Sequence, residues 1–552
     1  MPTDTAAPDT LVGLLDRRAE DDTTGLVVDG GAWTWRAVVA ESARWSAALA
    51  TLRPTAGPFH VGVLLGNRPE YLWALLGAAR IGAVLVGINE TRRGDELARD
   101  IRHTDCVIVL TDAAHAPLLA GLDLGDTAVV DIAGDPWRNL VATAPDPELP
   151  VVDTRDVLLL IFTSGSTGAP KAVQLSHGRA CRVANAAAWF GPDDVLYCAM
   201  PLFHGNALNA VIFPALATGA TIALRERFSA SQFMPDVRRY GATFFSTVGR
   251  ALAYILATPV TAEDRDHHVK FALAPESSPR DLRACKERFG ILCVAGYGSS
   301  ENVIIMEPRA GLPKDALGVP QAGIDAAVVD PETGTERARA RFDTDGRLLN
   351  GADAIGEIVG RNVVDRFEGY YRNPEAEAER TRRGWYWSGD LGYVDDAGVF
   401  YFAGRAGEWL RVDSENFATA PVERILARYP GASGVAVYPV PDERTADDQV
   451  MAAIELDPGT TFDPDTLGAF LAAQPDLGTK WAPRYVRVTT LPVGATNKID
   501  KRPLRAERWS TTDPVFWRSG PEPAYRRLTA ADVVALEERF REFGRADAIA
   551  RP

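Results

Sequence analysis

The chain has 552 residues, with 59 Lys plus Arg against 74 Asp plus Glu for a formal charge of −15, and it is 46% hydrophobic and 24% charged. That length exceeds what one hydrophobic core holds, so two or more domains are expected, and the composition excludes a wholly disordered, collagen-like or fibrous chain. The acidic balance argues against nucleic acid as a partner, because phosphate backbones are held by basic surface.

Met1-Pro2-Thr3-Asp4 carries neither a basic nor an apolar leader, so no secretory signal is expected. Residues 61–65 read as a strand, 69–81 as a helix with Pro69 early in it, and 83–87, 106–110 and 128–132 as further strands. The apolar stretch 71–87 contains Arg80 and reads as a buried helix running into a strand, not as a membrane span. Strand–helix alternation of this kind predicts α/β layers with largely parallel sheets. The five cysteines form no C-x-x-C pair, which fits reduced, mostly buried thiols in a cytoplasmic protein. Seven histidines include one adjacent pair, His267-His268, and no zinc spacing.

A domain boundary is expected near Gly404. Before it, residues 392–403 read as a β meander turning at Asp395-Asp396-Ala397-Gly398. After it come a helix at 421–429, strands at 434–440 and 450–456, a helix at 463–473 and a strand at 485–489. The end of the chain holds an apolar-aromatic segment at 514–517. It then has a helix at 530–543 that starts from Thr529 and places Leu536, Phe540 and Phe543 at helical spacing against the body. The division expected is 1–404 and 405–552.

Residues 157–171 carry the strongest chemical signal. The apolar run from Val157 to Phe162 leads into Thr163-Ser164-Gly165-Ser166-Thr167-Gly168-Ala169-Pro170-Lys171. Glycines let the backbone approach an anion, hydroxyls and N–H groups donate to phosphate oxygens, and Lys171 adds a positive charge. It is not a Walker A loop, since Pro170 precedes Lys171 and 172–175 reads as a strand rather than a helix. Only seven of the 59 basic residues are lysine, so Lys171 and Lys498 stand out.

This loop resembles the phosphate loop of the adenylate-forming superfamily: acyl- and aryl-CoA synthetases, peptide-synthetase adenylation domains and firefly luciferase. Further motifs follow in the family's order: Pro201-Leu202-Phe203-His204, Gly296-Tyr297-Gly298-Ser299-Ser300-Glu301, Trp387-Ser388-Gly389-Asp390, Gly404-Arg405 and Asn497-Lys498-Ile499. The resemblance implies a large layered αβαβα-type N-terminal domain and a small mobile α+β C-terminal domain. It implies ATP and Mg²⁺, with CoA as co-substrate. Thr163, Ser164, Gly165, Ser166, Thr167, Gly168 and Lys171 are then the phosphate-binding residues, Tyr297 stacks on adenine, and Ser300 stands beside it. Asp390 accepts from the ribose hydroxyls, and Arg405 pairs with the same nucleotide. Glu301 and Thr163 serve the metal, a role that suits hard oxygen ligands. Lys498 steadies the charge on the α-phosphate, and Glu408 is the hinge. His204 either lines the acyl pocket or is a satisfied core histidine.

Two segments depart from the family pattern. In the hinge stretch, Gly407 and Arg411 stand where many relatives have lysine, and with Glu415-Asn416 the pattern looks closer to the very-long-chain acyl-CoA synthetase and fatty-acid-transport-protein branch; Ser414 stands where relatives have the glycine past which CoA's pantetheine runs, so its side chain either obstructs that path or bends away. At Ala274-Pro275 relatives carry smaller residues, and the added bulk points either to a restricted substrate or to neutral change. The leading expectation is a cytoplasmic ligase that activates a small-molecule carboxylate as an acyl-adenylate and passes it to CoA, with no membrane span and with homo-oligomer formation left open. A second reading keeps adenylation but activates nitrite, or an acid, for transfer to an amine such as an arylamine. A non-enzymatic reading is a nucleotide-binding pseudoenzyme.

Overall fold

The computed structural model describes residues 8–163, 171–275, 277, 279–309, 311–313, 316–344, 346–405, 409–412, 415–445, 448–474, 476–477, 480–493, 499–518, 520 and 524–549. Two compact units divide the chain, one made of Met1–Val303 with Asp365–Glu379, the other of Ile304–Val364 with Arg380–Pro552.

The first unit is built on two sheets. A six-stranded sheet runs Ala128–Asp131, Cys106–Thr111, His60–Leu64, Val84–Gly87, Val157–Thr163, Lys171–Ser176, parallel except for its last strand. A seven-stranded sheet runs Cys293–Val294, Phe271–Leu273, Phe244–Ser246, Val195–Cys198, Thr221–Leu224, Thr24–Val28, Gly31–Thr34, again parallel except for its last strand. The layers follow from the two-residue period of strand side chains. Val61, Val63, Leu159 and Ile161 from one sheet share a core with Leu196, Cys198, Ile222 and Phe244 from the other, and the helices Trp35–Ala50 and Pro69–Arg80 fill it. Alternate residues Tyr197, Ala223 and Phe245 face the opposite way, onto the helices Ala230–Arg239, Gly249–Leu256 and Pro279–Arg288. Leu64, Val86 and Val109 likewise turn outward onto the helix Gly94–His103. Helices therefore lie between the sheets and outside both, the αβαβα order expected. Gly77 has a packing reason: a Cβ there would meet the Ser42 and Ser46 backbone at 3.1 Å, a tight contact that would push the two central helices apart by a few tenths of an ångström.

The expected strands and the helix at 69–81 fall within a residue or two of those observed. The reading of 71–87 as buried holds, since Tyr71 to Ala79 is buried throughout. All five cysteines are free and buried, and the sulfurs of Cys285 and Cys293 lie 3.2 Å apart.

The second unit opens with an antiparallel six-stranded sheet in the order Met306–Glu307, Ala316–Pro320, Phe400–Arg405, Tyr386–Val394, Gly356–Gly360, Ala326–Val329. The expected meander turn is present: Asp395 Oδ1 accepts from the backbone N–H of Ala397 and Val399, both at 2.9 Å. A two-stranded ribbon, Trp409–Val412 with Glu415–Ala418, comes next. A five-stranded sheet then runs Ala432–Pro441, Asp448–Leu456, Tyr485–Val488, Val515–Trp517, Arg526–Arg527. On one face Val437, Ala452 and Ile454 pack on the helices Thr419–Leu426 and Pro464–Ala472; on the other Tyr438, Met451 and Tyr485 pack with Trp509, Leu536 and Phe540. Two expectations shift here. The helix expected at 421–429 spans Thr419–Leu426, because proline is tolerated anywhere in the first turn, where N–H groups lack intrahelical partners. Phe543, expected on the buried stripe, is 49% exposed, because the helix Ala530–Glu542 ends one residue before it.

Candidate active site

The carboxyl ends of the parallel strands gather the chemistry of the first unit, as open α/β sheets generally do. Val157–Thr163 delivers Thr163, whose Oγ1 lies 3.5 Å from the Lys171 carbonyl; Thr163 and Lys171 are register partners across the antiparallel pair. The expected phosphate loop, Ser164, Gly165, Ser166, Thr167 and Gly168, lies outside the described residues. Lys171 at its far side is 7% exposed, with its ammonium 3.4 Å from Glu379 and 5.9 Å from the Tyr370 ring centroid.

Cys293–Val294, the edge strand of the seven-stranded sheet, leads into Tyr297, Ser300 and Glu301. The segment turns through Asn302, whose φ of 50° is a left-handed conformation that asparagine tolerates, with its N–H donating to the Ser299 carbonyl at 3.0 Å. Glu301 is 6% exposed, and its Oε1 accepts from the Tyr370 hydroxyl at 2.5 Å. The Ser300 carbonyl accepts from the buried Arg179 guanidinium. Tyr297 and Ser300 are half-buried. Ala274, one of the departures from the family pattern, is wholly buried in the strand-end layer, its N–H donating to the Val294 carbonyl at 2.9 Å.

His204 follows the strand Val195–Cys198 and caps the turn Gly205–Ala207, its Nδ1 accepting from the Asn206 N–H at 3.3 Å. With Nδ1 an acceptor, the neutral ring carries its proton on Nε2. The helix then widens into a π turn over Leu208–Ile212, a feature frequent at functional sites. Asn206 Oδ1 accepts from Ser246 Oγ at 2.8 Å, linking this turn to the next strand end.

In the second unit, Asp390 lies within Tyr386–Val394, half-buried, its N–H donating to Ser388 Oγ at 3.0 Å. Gly389 before it has a φ of +72° and donates its N–H to Glu357 Oε1 at 2.9 Å. Burial pushes the Glu357 carboxyl above the usual carboxylate range, against the Gly389 bond and the charges of Arg382 and Arg380. Arg405 is the register partner of Asp390 on the neighbouring strand. The Arg405 side chain, Glu408 and Lys498 lie outside the described residues.

Two contributors escape a sequence reading. Glu357 leaves a faint signal, one acid inside the apolar run Gly356-Glu357-Ile358-Val359-Gly360. Tyr370 leaves none: it stands 69 positions from Glu301, and only the fold brings them together. Among the described residues no three His, Cys, Asp or Glu side chains group to hold a metal. Glu301 and the Thr163 hydroxyl are hard oxygen donors, the ligand type that Mg²⁺ takes.

The model of the AMP-binding enzyme family matches residues 15–371. Steroid-22-oyl-CoA synthetase of Rhodococcus jostii (strain RHA1) is 49% identical over 548 residues, covering 97% of this chain and 98% of the relative. Medium/long-chain-fatty-acid–CoA ligase FadD17 of Mycobacterium tuberculosis is 43% identical over 514 residues, covering 92% and 98%. Among solved structures, ATP-bound MatB from Rhodopseudomonas palustris matches with a TM-score of 0.77 at 24% identity, over 90% of this chain and 98% of that one. The amide bond synthetase McbA from Marinactinospora thermotolerans matches at 0.75 and 24%, over 91% and 100%. At that identity the likeness shows the fold alone. The chain belongs to the AMP-binding enzyme family, and within it to the adenylate-forming acid–CoA ligases, which use ATP and CoA. The nitrite-activating and non-enzymatic readings are not favoured by these relatives.

Proposed function

We propose that this ligase acts on a bulky, largely apolar carboxylic acid, a steroid side-chain acid or a medium- to long-chain fatty acid. The observation that carries the reading is the 49% identity to a steroid-22-oyl-CoA synthetase across 97% of the chain. The buried Ala274 and the hinge pattern of Gly407, Arg411 and Glu415-Asn416 are compatible with it. No helix among the described residues is long and apolar enough to cross a membrane. Five free thiols support a cytoplasmic setting.

In the first half-reaction the acid's carboxylate attacks the α-phosphorus of ATP, forming the acyl phosphate anhydride and releasing pyrophosphate. In the second, the CoA sulfur attacks the acyl carbon and AMP leaves. Neither step needs a protein nucleophile; positioning and charge neutralisation supply the rate. Thr163, the loop Ser164 to Gly168 and Lys171 hold the phosphates. Glu301 and Thr163 hold Mg²⁺, which screens phosphate charge when bound. Tyr297 stacks on adenine with Ser300 beside it, Asp390 takes the ribose hydroxyls, and Arg405 pairs with the nucleotide. His204 lines the acyl pocket. Lys498 neutralises the α-phosphate in the first step, and residues 405–552 then turn about Glu408. A boundary at Gly404 is supported by the six-stranded sheet ending at Arg405 and by both faces of the five-stranded sheet finding their cores after residue 409.

The test is AMP release from ATP and Mg²⁺ across steroid acids, fatty acids of graded length, small aromatic acids and nitrite, each with and without CoA. CoA-dependent release confined to the steroid or longer fatty acids is expected. Turnover only with small aromatic acids, or with nitrite and an amine, overturns the proposal.

A further inference from the structure

Tyr370 meets both charged residues of the first unit's phosphate end. Its hydroxyl donates to Glu301 and the Lys171 ammonium lies above its ring. It comes from Asp365–Glu379, the segment that returns to this unit after the chain has left it at Val303. The return is an added edge on the strand Lys171–Ser176: Gln174 N–H donates to the Gly369 carbonyl at 3.1 Å, and Tyr371 N–H to the Ala172 carbonyl at 2.8 Å. Gln174 Nε2 donates to the Glu368 carbonyl at 2.9 Å, and Tyr370 N–H to Glu377 Oε1 at 2.7 Å. The ring is 1% exposed and stands edge-on to Phe367, centroids 5.1 Å apart. Backbone and ring are thus both fixed, and the hydroxyl has one place to be.

At 2.5 Å, the O–H···O contact to Glu301 falls in the charge-assisted class, roughly twice as strong as a neutral hydrogen bond. A carboxylate anchored in this way is held in one rotamer. A group behind a metal ligand acts in this manner, and its loss typically costs about 10- to 100-fold in metal affinity.

We propose that Tyr370 is the positioning residue of the metal-holding carboxylate, fixing Glu301 through its hydroxyl and tying it, through the same ring, to the phosphate-binding Lys171. This rests on the reading of Glu301 as the Mg²⁺ ligand. Tyr370 touches neither substrate nor metal in this role.

Binding separates the two claims without turnover. ATP affinity of the full chain is measured calorimetrically with and without Mg²⁺, in the absence of any acid. Tyr370→Phe removes the hydroxyl and keeps the ring. It is expected to lose about tenfold of the Mg²⁺-dependent gain in affinity, while affinity without metal stays within about twofold. Glu301→Gln is expected to lose most of the gain, and Glu301→Gln/Tyr370→Phe to match Glu301→Gln alone, since the hydroxyl acts through the carboxylate. A wild-type gain in Tyr370→Phe beside a lost gain in Glu301→Gln overturns the inference and leaves the metal reading standing. A wild-type gain in Glu301→Gln overturns both. Equal loss with and without metal in Tyr370→Phe marks a merely structural bond and overturns the inference. If Tyr370→Phe melts far below the wild type, the double variant, which strands no carboxylate, carries the test: a gain below that of Glu301→Gln overturns the inference.

Discussion

Lys171 and Lys498 are two of seven lysines in an arginine-rich chain, and the proposed mechanism gives each a different step. Lys171 is buried with one carboxylate at 3.4 Å. Lys171→Met removes the charge and keeps most of the stem, leaving the Tyr370–Glu301 bond in place. Loss of a charge aimed at phosphate predicts a fall of roughly hundredfold in kcat/KM for ATP, about 3 kcal/mol, read from pyrophosphate release at varied ATP. An unchanged value removes Lys171 from the phosphate site. Lys498→Ala is expected to abolish adenylate formation while a supplied acyl-adenylate still yields thioester with CoA. Equal loss in both half-reactions removes the two-step hinge. Lys171, Glu301 and Asp390 could be proposed from sequence because each sits in a contiguous motif whose chemistry is local. Tyr370 and Glu357 were not, since a hydrogen bond across tens of residues has no local spacing to betray it.

Among the elements, the helix Ala530–Glu542 shows how a single turn decides burial. Thr529 and Asp532 form a reciprocal capping box, each side chain accepting from the other's backbone N–H. Leu536 and Phe540, four apart, are 1% and 0% exposed in the core beneath the five-stranded sheet. Phe543 continues the spacing on paper, but the helix has ended and the ring is half-exposed, with the Arg444 guanidinium 5.9 Å from its centroid. Phe540→Ala is therefore expected to cost about 3–5 kcal/mol, Thr529→Ala about 1 kcal/mol, and Phe543→Ala less than about 0.5 kcal/mol. Denaturant unfolding followed by circular dichroism checks the order, and a Phe543→Ala loss equal to that of Phe540→Ala contradicts the packing. The strands show the same contrast. Alternation along 195–198 sets which residues face which layer, and the seven-stranded order follows from pairings no single strand encodes.

At the scale of the whole molecule, two buried groups shift in ways that oppose each other as pH falls. His177 is wholly buried with neither ring nitrogen hydrogen-bonded, and burial holds it down at about 4 from 6.5. The unfolded chain takes up that proton first, so stability falls as pH drops from 6.5 towards 4, by about 3 kcal/mol in all. Burial raises Asp100 from 3.8 to about 6, partly offset by Arg92 and Arg99. Here the folded state takes the proton first, so stability rises by about 3 kcal/mol over pH 6 to 3.8. The two contributions oppose each other across this window. Asp100→Asn is expected to expose the His177 loss as a steeper decline in stability from pH 6 to 4, read as urea midpoints at fixed pH. An unchanged slope removes the compensation.

The layered α/β class, the small α+β end and the family were legible in the sequence, because strand and helix periods and contiguous motifs are properties of neighbouring residues. Tertiary structure alone decided that Asp365–Glu379 returns to the first unit, that Tyr370 seats itself on Glu301 and Lys171, that Glu357 holds Gly389, and that Phe543 lies outside the core. Each of these depends on which distant surfaces the chain brings into contact, and burial and hydrogen-bond partnership exist only once that contact is made.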